Sequence, residues 1–347
     1  MLRVGIVGLG GIGFGHARAI AGLADVQVVA AADLLDAPRQ KFRAAYPATA
    51  LYPNHRELLR DAQVDAVAIT LGHQLHHRLS VDALNAGKHV LVEKPMALSL
   101  AQCDAMVEAA RRNGVQLVVG LNQRYLGPNR KAKEILDGGD LGPLITAVTY
   151  SQKNWSIANR RPQYRSRMHG GGYWLNSGVH MVDRLSWFVG SQAIKVKARI
   201  GTKSHYQAAD DYGVAFIDYK SGVPGIVVCV GYRDGAPYFA TELVCAQGAI
   251  RLSGSGDEFV EVGRGERWER VPFEQTDGFR EEWRMFARAI QEGFEPPASG
   301  VWGRHMMEIL FAAEQSSLSG REVELRGGAH WFAQETDEVV APEHGVY

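Results

Sequence analysis

The chain has 347 residues, which is enough for about two domains of ordinary size. Apolar residues make up 46% of the sequence, charged residues 22%, and the net charge is zero, so a disordered, collagen-like or fibrous chain is excluded. A neutral chain without a dense Lys/Arg segment is not expected to bind nucleic acid or an anionic membrane surface. It also lacks the roughly 18 to 20 consecutive apolar residues of a membrane-spanning helix.

The cysteines and the first residues favour a cytoplasmic protein. Cys103, Cys229 and Cys245 are too few and too widely spaced for a disulfide framework or a zinc site, which fits a reducing compartment. The first three residues lead directly into a strand-like segment, without the architecture of a signal peptide.

The first part of the chain alternates between strand-like and helix-like segments. Short runs of β-branched and apolar residues predict strands at 2–7, 26–32, 64–70, 89–92 and 115–120. Helices are predicted after a glycine-rich turn up to residue 20, and at 55–61, 79–86 and 100–113. This alternation predicts a doubly wound α/β domain over residues 1–122, in which helices cover both faces of a parallel sheet.

The pattern changes after residue 122. A helix predicted at 127–136 precedes glycine-bounded runs of strand length at 144–151, 194–200, 213–219, 225–231, 241–245, 249–252 and 258–262. Helices at 280–292 and 303–319 follow. This order predicts an α+β domain over residues 123–347 with a large, mostly antiparallel sheet. The strand at 225–230 is apolar at nearly every position, so both faces of that sheet are expected to be buried.

A G-x-G-x-x-G motif follows the first strand and opens a helix, and Asp33 stands 20 residues after its last glycine. This context is typical of a Rossmann dinucleotide site, where the glycines allow a tight turn, a close approach of the pyrophosphate and close helix packing. The helix N–H groups then face the phosphates. The motif residues expected to contact the cofactor are Gly8, Gly10, Gly11, Ile12 and Gly13.

Asp33 bears on the choice of cofactor. Its carboxylate can accept hydrogen bonds from both hydroxyls of an adenosine ribose and repels a 2′-phosphate, which favours NAD over NADP. Arg39 on the next helix could reach such a phosphate, or could be an ordinary surface residue. The alternative for the whole motif is a structural glycine turn with Asp33 as a helix cap.

A second motif, A-G-K-H-V-L-V-E-K-P at residues 86–95, places Glu93 and Lys94 at the end of a buried strand. Ligands of open α/β sheets bind at the carboxyl ends of strands. This motif, the glycine motif with His16, and segments 120–125, 170–183 and 316–325 resemble the glucose–fructose oxidoreductase, inositol dehydrogenase and MocA (Gfo/Idh/MocA) family over nearly the whole chain.

The resemblance implies an NAD(P)-dependent oxidoreductase that transfers a hydride between nicotinamide and a secondary alcohol or ketone of a sugar, cyclitol or sugar derivative. It implies that Lys94 lies between the nicotinamide and the substrate, and that the Lys94–Pro95 bond is cis. The Lys94 ammonium would stabilise the alkoxide-like oxygen that forms as the hydride leaves. The alternative is a solvated surface lysine.

Asn176 and His180 are four residues apart, so they share one face of the helix expected after the glycines at 170–172. Many family members carry Asp where Asn176 stands. Because Asn cannot take a proton, Asn176 is expected to orient the substrate or His180. His180 is the expected general base, since its ordinary pKa suits proton transfer near neutrality, and a satisfied core histidine is the alternative. Asp183 either orients His180 or bonds locally.

The segment 70–76 (T-L-G-H-Q-L-H) departs from the commoner T-P-N-x-x-H of the family, but is expected to pass over the nicotinamide ribose, with contact from either His73 or His76. No carboxylate or thiolate stands near His73, His76 and His77 to complete a metal site, so no metal is expected. The predicted cofactor contacts outside the glycine motif are Asp33, Thr70, Leu71, His73, His76, Glu93, Lys94 and Asn122.

Substrate contacts are expected from a polar and aromatic stretch at 152–165, because Trp and Tyr can stack on a sugar ring while Asn, Gln and Arg bind its hydroxyls. A positive surface loop or a subunit contact is the alternative for this stretch. With the catalytic residues included, the predicted substrate contacts are Lys94, Gln123, Asn154, Trp155, Arg161, Tyr164, Asn176, His180 and Tyr232.

Two other functions compete with a sugar or inositol dehydrogenase. One is an NADPH-dependent reductase of a deoxy- or anhydro-ketosugar, and the other is a non-enzymatic cofactor-sensing protein of the same fold. The presence of both Lys94 and His180 argues against the sensor. The resemblance further implies pairing through the C-terminal sheet, so a homodimer or homotetramer is expected, with a small sugar or polyol as the other partner.

Overall fold

A computed structural model describes residues 1–156, 162–254 and 257–326, with only the backbone of residues 162 and 163. The first sheet consists of β1 (Leu2–Val7), β2 (Val26–Ala32), β3 (Ala50–Tyr52), β4 (Ala66–Ile69), β5 (His89–Val92) and β6 (Leu117–Val119). The helices connecting these strands are α1 (Gly11–Ile20), α2 (Asp36–Ala45), α3 (His55–Leu59), α4 (His73–Asn85) and α5 (Leu100–Asn113).

The strands of the first sheet are all parallel, in the order β3-β2-β1-β4-β5-β6. Every residue of β4 is buried, as expected for a strand covered on both faces. The predicted doubly wound parallel sheet is therefore confirmed. The chain reverses its direction of travel across the sheet between β1 and β4, and such a switch point opens a ligand crevice at the carboxyl ends of the strands.

The second sheet consists of β7 (Leu144–Asn154), β8 (Ala193–Gly201), β9 (Tyr212–Tyr219), β10 (Pro224–Tyr232), β11 (Tyr238–Cys245), β12 (Gly248–Ser253), β13 (Phe259–Arg264), β14 (Arg267–Arg270) and β15 (Val323–Glu324). Its order is β14-β13-β12-β11-β7-β10-β9-β8-β15, and β7 and β10 are its parallel neighbours. The predicted large, mostly antiparallel sheet is confirmed. The accompanying helices are α6 (Gly127–Asp137), α7 (Val179–Val189), α8 (Gly278–Glu292) and α9 (Gly300–Ser319).

The elements whose bounds were not predicted bury few side chains or are very short. Helix α2 buries only Phe42, strand β3 has three residues, and every residue of β14 is exposed. Periodicity arises from burial, so a segment that buries little leaves no period to detect.

The two faces of the second sheet differ. Val227 and Cys229 of β10 are buried on the face that packs against α7, whereas Ile226 and Val228 are only half-buried on the other. Within the described chain, one face of this sheet is therefore buried as expected, and the other is only partly covered. In that same part of the chain, no helix combines the length and the hydropathy needed to span a membrane.

The last two helices return to the first sheet, where α8 packs on α1 and α9 packs on α5 and β6. All strands of the first sheet precede residue 120, and all strands of the second follow residue 143. The division of the chain into domains at 1–122 and 123–347 stays a prediction.

Candidate active site

The glycine turn between β1 and α1 is tightly built. Gly8 has a φ of +103°, and a Cβ at Gly13 would lie 2.1 Å from the Gly8 carbonyl oxygen. That oxygen accepts a hydrogen bond of 2.6 Å from Thr70 Oγ1, which fixes the turn against the end of β4. Gly10 precedes the helix without a side chain to cap it, so the first N–H groups of α1 are available to a ligand. This arrangement fits a bound pyrophosphate.

Asp33 lies beside this turn at the end of β2. Its Oδ2 accepts from the Leu9 N–H and its Oδ1 from the Leu35 N–H, both at 2.9 Å. Arg39 donates to the Asp33 carbonyl oxygen at 2.5 Å and to Asp36 Oδ1 at 3.0 Å. The carboxylate thus stands where an adenosine ribose would follow the pyrophosphate, and the guanidinium of Arg39 is tied down next to it.

A cleft of about 660 Å³ opens on the same turn. Gly10 and Gly11 line one side of it, and Ala37, Pro38 and Lys41 of α2 line the other. The cleft has the size and position to accept the adenosine end of a dinucleotide. Sequence reasoning placed Arg39 on a helix after Asp33 but set no bounds for that helix, and so did not identify the Ala37–Lys41 side.

Lys94 stands at the carboxyl end of β5, and the Lys94–Pro95 bond is cis, as expected. Its Nζ donates to the carbonyl oxygen of Asn176 at 2.9 Å and to Asn176 Oδ1 at 3.3 Å. Burial lowers the pKa of Lys94 to about 8, the charge of Glu93 acts in the opposite direction, and the charge of Lys153 lowers it further. Lys94 is therefore an ammonium at pH 7, although its pKa of about 8 is not far above that pH.

The carboxylate of Glu93 is held by a chain of hydrogen bonds from two helices. The indole N–H of Trp283 can only donate, and it donates to His16 Nδ1 at 3.0 Å. His16 must therefore carry its proton on Nε2, which donates to Glu93 Oε1 at 3.1 Å. Burial raises the pKa of Glu93, but the bond from His16 and the charges of His16 and Lys94 lower it below its ordinary value overall. Glu93 is thus kept as an anion beside Lys94.

His180 lies near the start of α7, directly after a π-helical turn at Trp174–Gly178 that carries Asn176. Its Nδ1 is enclosed and makes no hydrogen bond with any residue that the structure describes. Burial holds the pKa of His180 well below its ordinary value, and the charges of Lys94, Lys153 and Arg184 act in the same direction. His180 is therefore neutral at pH 7, and its imidazole is in the form that can accept a proton.

Asp183 was expected either to orient His180 or to bond to its surroundings, and the structure shows the second. Its Oδ1 accepts from the guanidinium of Arg124 and, at 2.7 Å, from Trp302 Nε1. Both the Arg124 and the Asp183 side chains are buried. This pair joins the turn at Asn122–Tyr125 to α7 and α9, and does not orient His180.

The two histidines at the start of α4 have different partners. His76 is buried with Nδ1 2.8 Å from the Pro95 oxygen and Nε2 3.2 Å from the Leu71 oxygen, so both nitrogens face the backbone. His73 Nδ1 lies 2.8 Å from the Gly170 oxygen, and burial lowers its pKa to about 3. Because both nitrogens of His76 face backbone oxygens, His73 is the better candidate of the two for a contact with the cofactor, and this contact stays a prediction. Among the described residues, no group of three or more His, Cys, Asp or Glu side chains is placed to hold a metal.

Aromatic rings form a wall near these groups. The Trp155 ring centroid lies 5.2 Å from that of Tyr173 and 6.3 Å from that of Tyr164, and Tyr164 lies 5.2 Å from His73. Lys153 Nζ lies over this wall, 5.6 Å from the Trp155 ring and 5.7 Å from the Tyr173 ring. The structure thus connects the predicted substrate residues Trp155 and Tyr164 to α4, and adds Lys153.

Two predicted substrate residues are not brought to this wall. Asn154 and Tyr232 are register partners on β7 and β10, on the face opposite Lys153. The exposed Asn154 accepts from the Ser156 N–H at 2.9 Å, and the Tyr232 hydroxyl donates to the Ala236 oxygen. The alternation along β7 was the signal that could have identified Lys153, because Thr149 and Ser151 on the same face are buried.

Three further predicted residues have other positions. Asn122 and Gln123 lie in a 3₁₀ turn directly after β6, at the same sheet edge as Lys94. Gln123 Oε1 is buried and has no hydrogen-bond partner in the described part of the chain. Arg161 lies outside the described residues.

Comparison with known proteins identifies the family. Residues 2–121 match the model of an oxidoreductase family with an NAD-binding Rossmann fold, and residues 129–251 match the C-terminal domain of the same family. The chain belongs to the Gfo/Idh/MocA oxidoreductase family. Its first part is therefore an NAD-binding Rossmann domain, as the glycine motif predicted.

Curated relatives show the range of activities in this family. A 1-carboxy-3-chloro-3,4-dihydroxycyclohexa-1,5-diene dehydrogenase of Comamonas testosteroni is 31% identical, over 67% of this chain and 58% of that protein. A myo-inositol 2-dehydrogenase of Thermotoga maritima is 26% identical, over 93% of this chain and 98% of that protein. Among solved structures, an oxidoreductase of Agrobacterium radiobacter in complex with NAD⁺, L-tartaric acid and magnesium has a TM-score of 0.85 at 19% identity, covering 93% and 98% of the two chains, and so shares the fold.

The contact between Lys94 and Asn176 predicts a change in titration. In Asn176→Asp, a carboxylate replaces the amide oxygen 3.3 Å from Lys94 Nζ, so the pKa of Lys94 should rise by at least about one pH unit. The pH dependence of Lys94 acetylation, followed by peptide mass spectrometry, measures this pKa. Asn113→Asp at the end of α5 is the matched control and should leave it unchanged. An unaltered pKa in Asn176→Asp would show that the two side chains do not interact in solution.

Proposed function

We propose that this family member is an NAD-dependent dehydrogenase acting on a CH–OH group of a cyclitol, sugar or sugar derivative. The observation that carries the proposal is the Lys94 ammonium, fixed by Asn176 at the carboxyl end of β5, beside a His180 whose Nδ1 is unbonded. Lys94 stands at the same sheet edge as the glycine turn, since both follow the carboxyl ends of parallel strands. The similarity to a myo-inositol 2-dehydrogenase supports a cyclic polyol as the substrate class.

Lys94 is suited to bind the reacting oxygen. An ammonium has three N–H donors, and Asn176 accepts two of them, so one remains for a substrate hydroxyl or ketone. As the alcohol is oxidised, negative charge develops on its oxygen, and a fixed cation stabilises this charge without reorganising. Bound NAD supplies the acceptor for the hydride.

His180 is suited to take the hydroxyl proton. The side chain is half-buried and its Nδ1 is enclosed, so the neutral imidazole can accept on Nε2. The resulting imidazolium is disfavoured by burial and by nearby cations, so the proton is readily passed on. Asn176 contributes by carrying no charge. An Asp at this position would stabilise the charged forms of both Lys94 and His180, whereas Asn leaves both pKa values low.

A screen of polyols and sugars tests the function as a whole. Purified protein is mixed with each compound and with NAD or NADP in parallel, and reduced cofactor is followed by absorbance. Turnover of at least one cyclic polyol or sugar with NAD is expected. If all are inert and NADH still binds, the cofactor-sensing alternative takes the place of the dehydrogenase.

Lys94→Met should lower kcat about 100-fold or more, because one preorganised donor to the reacting oxygen is lost. NADH binding, measured by fluorescence, should persist. Lys133→Met on α6 removes a surface ammonium paired with Asp137 and serves as the control with unchanged turnover. Turnover of Lys94→Met at the wild-type rate would remove Lys94 from the mechanism.

The pH dependence checks the protonation state that Lys94 requires. A donor must be in the ammonium form, which is lost as the pH rises through about 8, so kcat/KM should fall on the alkaline side of that value. If neutral Lys94 were the base instead of His180, kcat/KM would rise through the same range. The sign of the change therefore distinguishes the two assignments.

Asp33→Ser should raise the preference for NADP over NAD by about tenfold or more, since a like-charge repulsion of 1–2 kcal/mol or greater is removed. The serine can still accept from the Leu9 N–H. The double variant Asp33→Ser/Arg39→Ala should show a smaller gain, because the nearby Arg39 cation can no longer attract the 2′-phosphate. The ratio of kcat/KM values for the two cofactors is the measurement. A wild-type enzyme that already prefers NADP would contradict the proposal.

The outer face of the second sheet supports a homo-oligomer. Val214 and Phe216 on β9 are 41% and 43% exposed, and their register partners on β10 are Val228 and Ile226. Across the sheet, β8 places Lys197 and Arg199 next to this apolar patch, and β11 places Glu242 on its far side. A second copy turned by 180° can thus present both an apolar surface and opposite charges.

Light scattering at micromolar concentration should give the mass of a dimer or tetramer. The double variant Val214→Glu/Phe216→Glu should shift the mass toward the monomer, because it places charges in the apolar patch. Leu318→Glu is the matched control, since Leu318 is 89% exposed on α9, away from the sheet face, and should leave the mass unchanged. A monomeric wild-type protein would exclude the assembly.

A further inference from the structure

Lys153 is the charged group of the site that the proposed mechanism does not use. Lys153 lies near the end of β7, on the same face as Ser151. The Ser151 hydroxyl lies 2.9 Å from the Tyr173 hydroxyl. The Lys153 ammonium lies over the rings of Trp155 and Tyr173. Burial lowers the pKa of Lys153, and its charge acts on both Lys94 and His180, so it faces the reaction site.

Within the part of the chain that the structure describes, the positive charge of Lys153 has no anionic partner. No described residue accepts a hydrogen bond from its Nζ or forms an ion pair with it, and the two rings offer only the weaker attraction of their π faces. The other charged groups that act on His180 are Lys94 and Arg184, which are also cations.

The acids packed around this part of the site are committed elsewhere. Glu93 accepts from His16 and balances the charge of Lys94, and Asp183 pairs with Arg124. Asp210 accepts from the Trp174 N–H at 2.6 Å. The pocket therefore has a surplus of positive charge before any ligand enters.

A partly buried ammonium without an anion is costly, and the cost is recovered when a bound ligand supplies the charge. Lys94 is already assigned to the reacting oxygen, so Lys153 is free to bind a second group. We propose that the substrate is a carboxylated polyol, such as a uronate or a carboxylated cyclitol, and that its carboxylate pairs with Lys153. This inference rests on the proposed function, because it specifies the substrate of the same site.

Binding and turnover are measured separately, so that the two proposals can fail independently. Calorimetry on the protein saturated with NADH compares three matched pairs: D-glucose with D-glucuronate, D-galactose with D-galacturonate, and myo-inositol with quinate. At least one carboxylated probe should bind about tenfold or more tightly than its neutral counterpart. If no carboxylated probe does so, the inference is overturned, whether or not neutral polyols are oxidised. Turnover of the same compounds with NAD tests the dehydrogenase itself.

Variants at position 153 assign the preference to this side chain. Lys153→Met keeps the contact with the two rings but removes the charge, and should abolish the preference for the carboxylated probe. Lys153→Arg should retain most of it, which excludes misfolding as the cause. Lys133→Met should bind as the wild type does. If Lys153→Met keeps the preference and alters only the pH profile of turnover, Lys153 tunes His180 and binds no carboxylate.

Discussion

The withdrawal of the Lys94 ammonium from water is the constraint on which the rest of the site depends. A charge at the end of a buried strand needs acceptors and a counter-ion. Asn176 supplies the acceptors from the turn before α7, and Glu93 supplies the negative charge from the adjacent position on β5. Because Asn176 and Glu93 belong to different parts of the chain, the site exists only when both parts are packed together.

The counter-ion has requirements of its own. Glu93 is buried, and burial alone would favour its neutral form, in which it could no longer balance Lys94. The hydrogen bond from His16 prevents this, and Trp283 fixes the tautomer that makes the bond. Helices α1 and α8, which contribute nothing else to the reaction site, are thus needed in place. The packing of α8 on α1 therefore supports the charged form of Glu93 as well as the fold.

Much of this could be predicted from the sequence, and the reason is physical. The first sheet is buried on both faces and its helices are amphipathic, so periodicity locates them, and the glycine motif is readable because each glycine answers a steric demand. Lys94 and Asn176 were predicted from motifs, but not the bond between them. Such a bond joins residues 82 positions apart, and no local pattern encodes that distance.

The prediction named Asn154, whereas in the structure the neighbouring Lys153 lies over the aromatic rings. This difference has another cause. Composition pointed to the stretch at 152–165, because aromatic and polar side chains are suited to bind a sugar. It could not say which of two neighbouring residues faces inward, since a shift of one residue exchanges the faces of a strand. The partners of His16 and Asp183 were inaccessible for a third reason. Trp283 and Trp302 come from helices more than 100 residues away, and each reads in sequence as an ordinary core aromatic.

The replacement of an acid by Asn176 gives the site its electrostatic character. With an Asp there, the site would hold a second carboxylate besides Glu93, which would offset the charge of Lys153 as well. With Asn, burial lowers the pKa values of Lys94 and His180, and the surplus charge of Lys153 acts in the same direction on both. The same surplus makes an empty pocket less favourable than one holding an anion. The amide of Asn176 in place of a carboxylate therefore bears on both the proposed reactivity and the proposed preference for an acidic substrate.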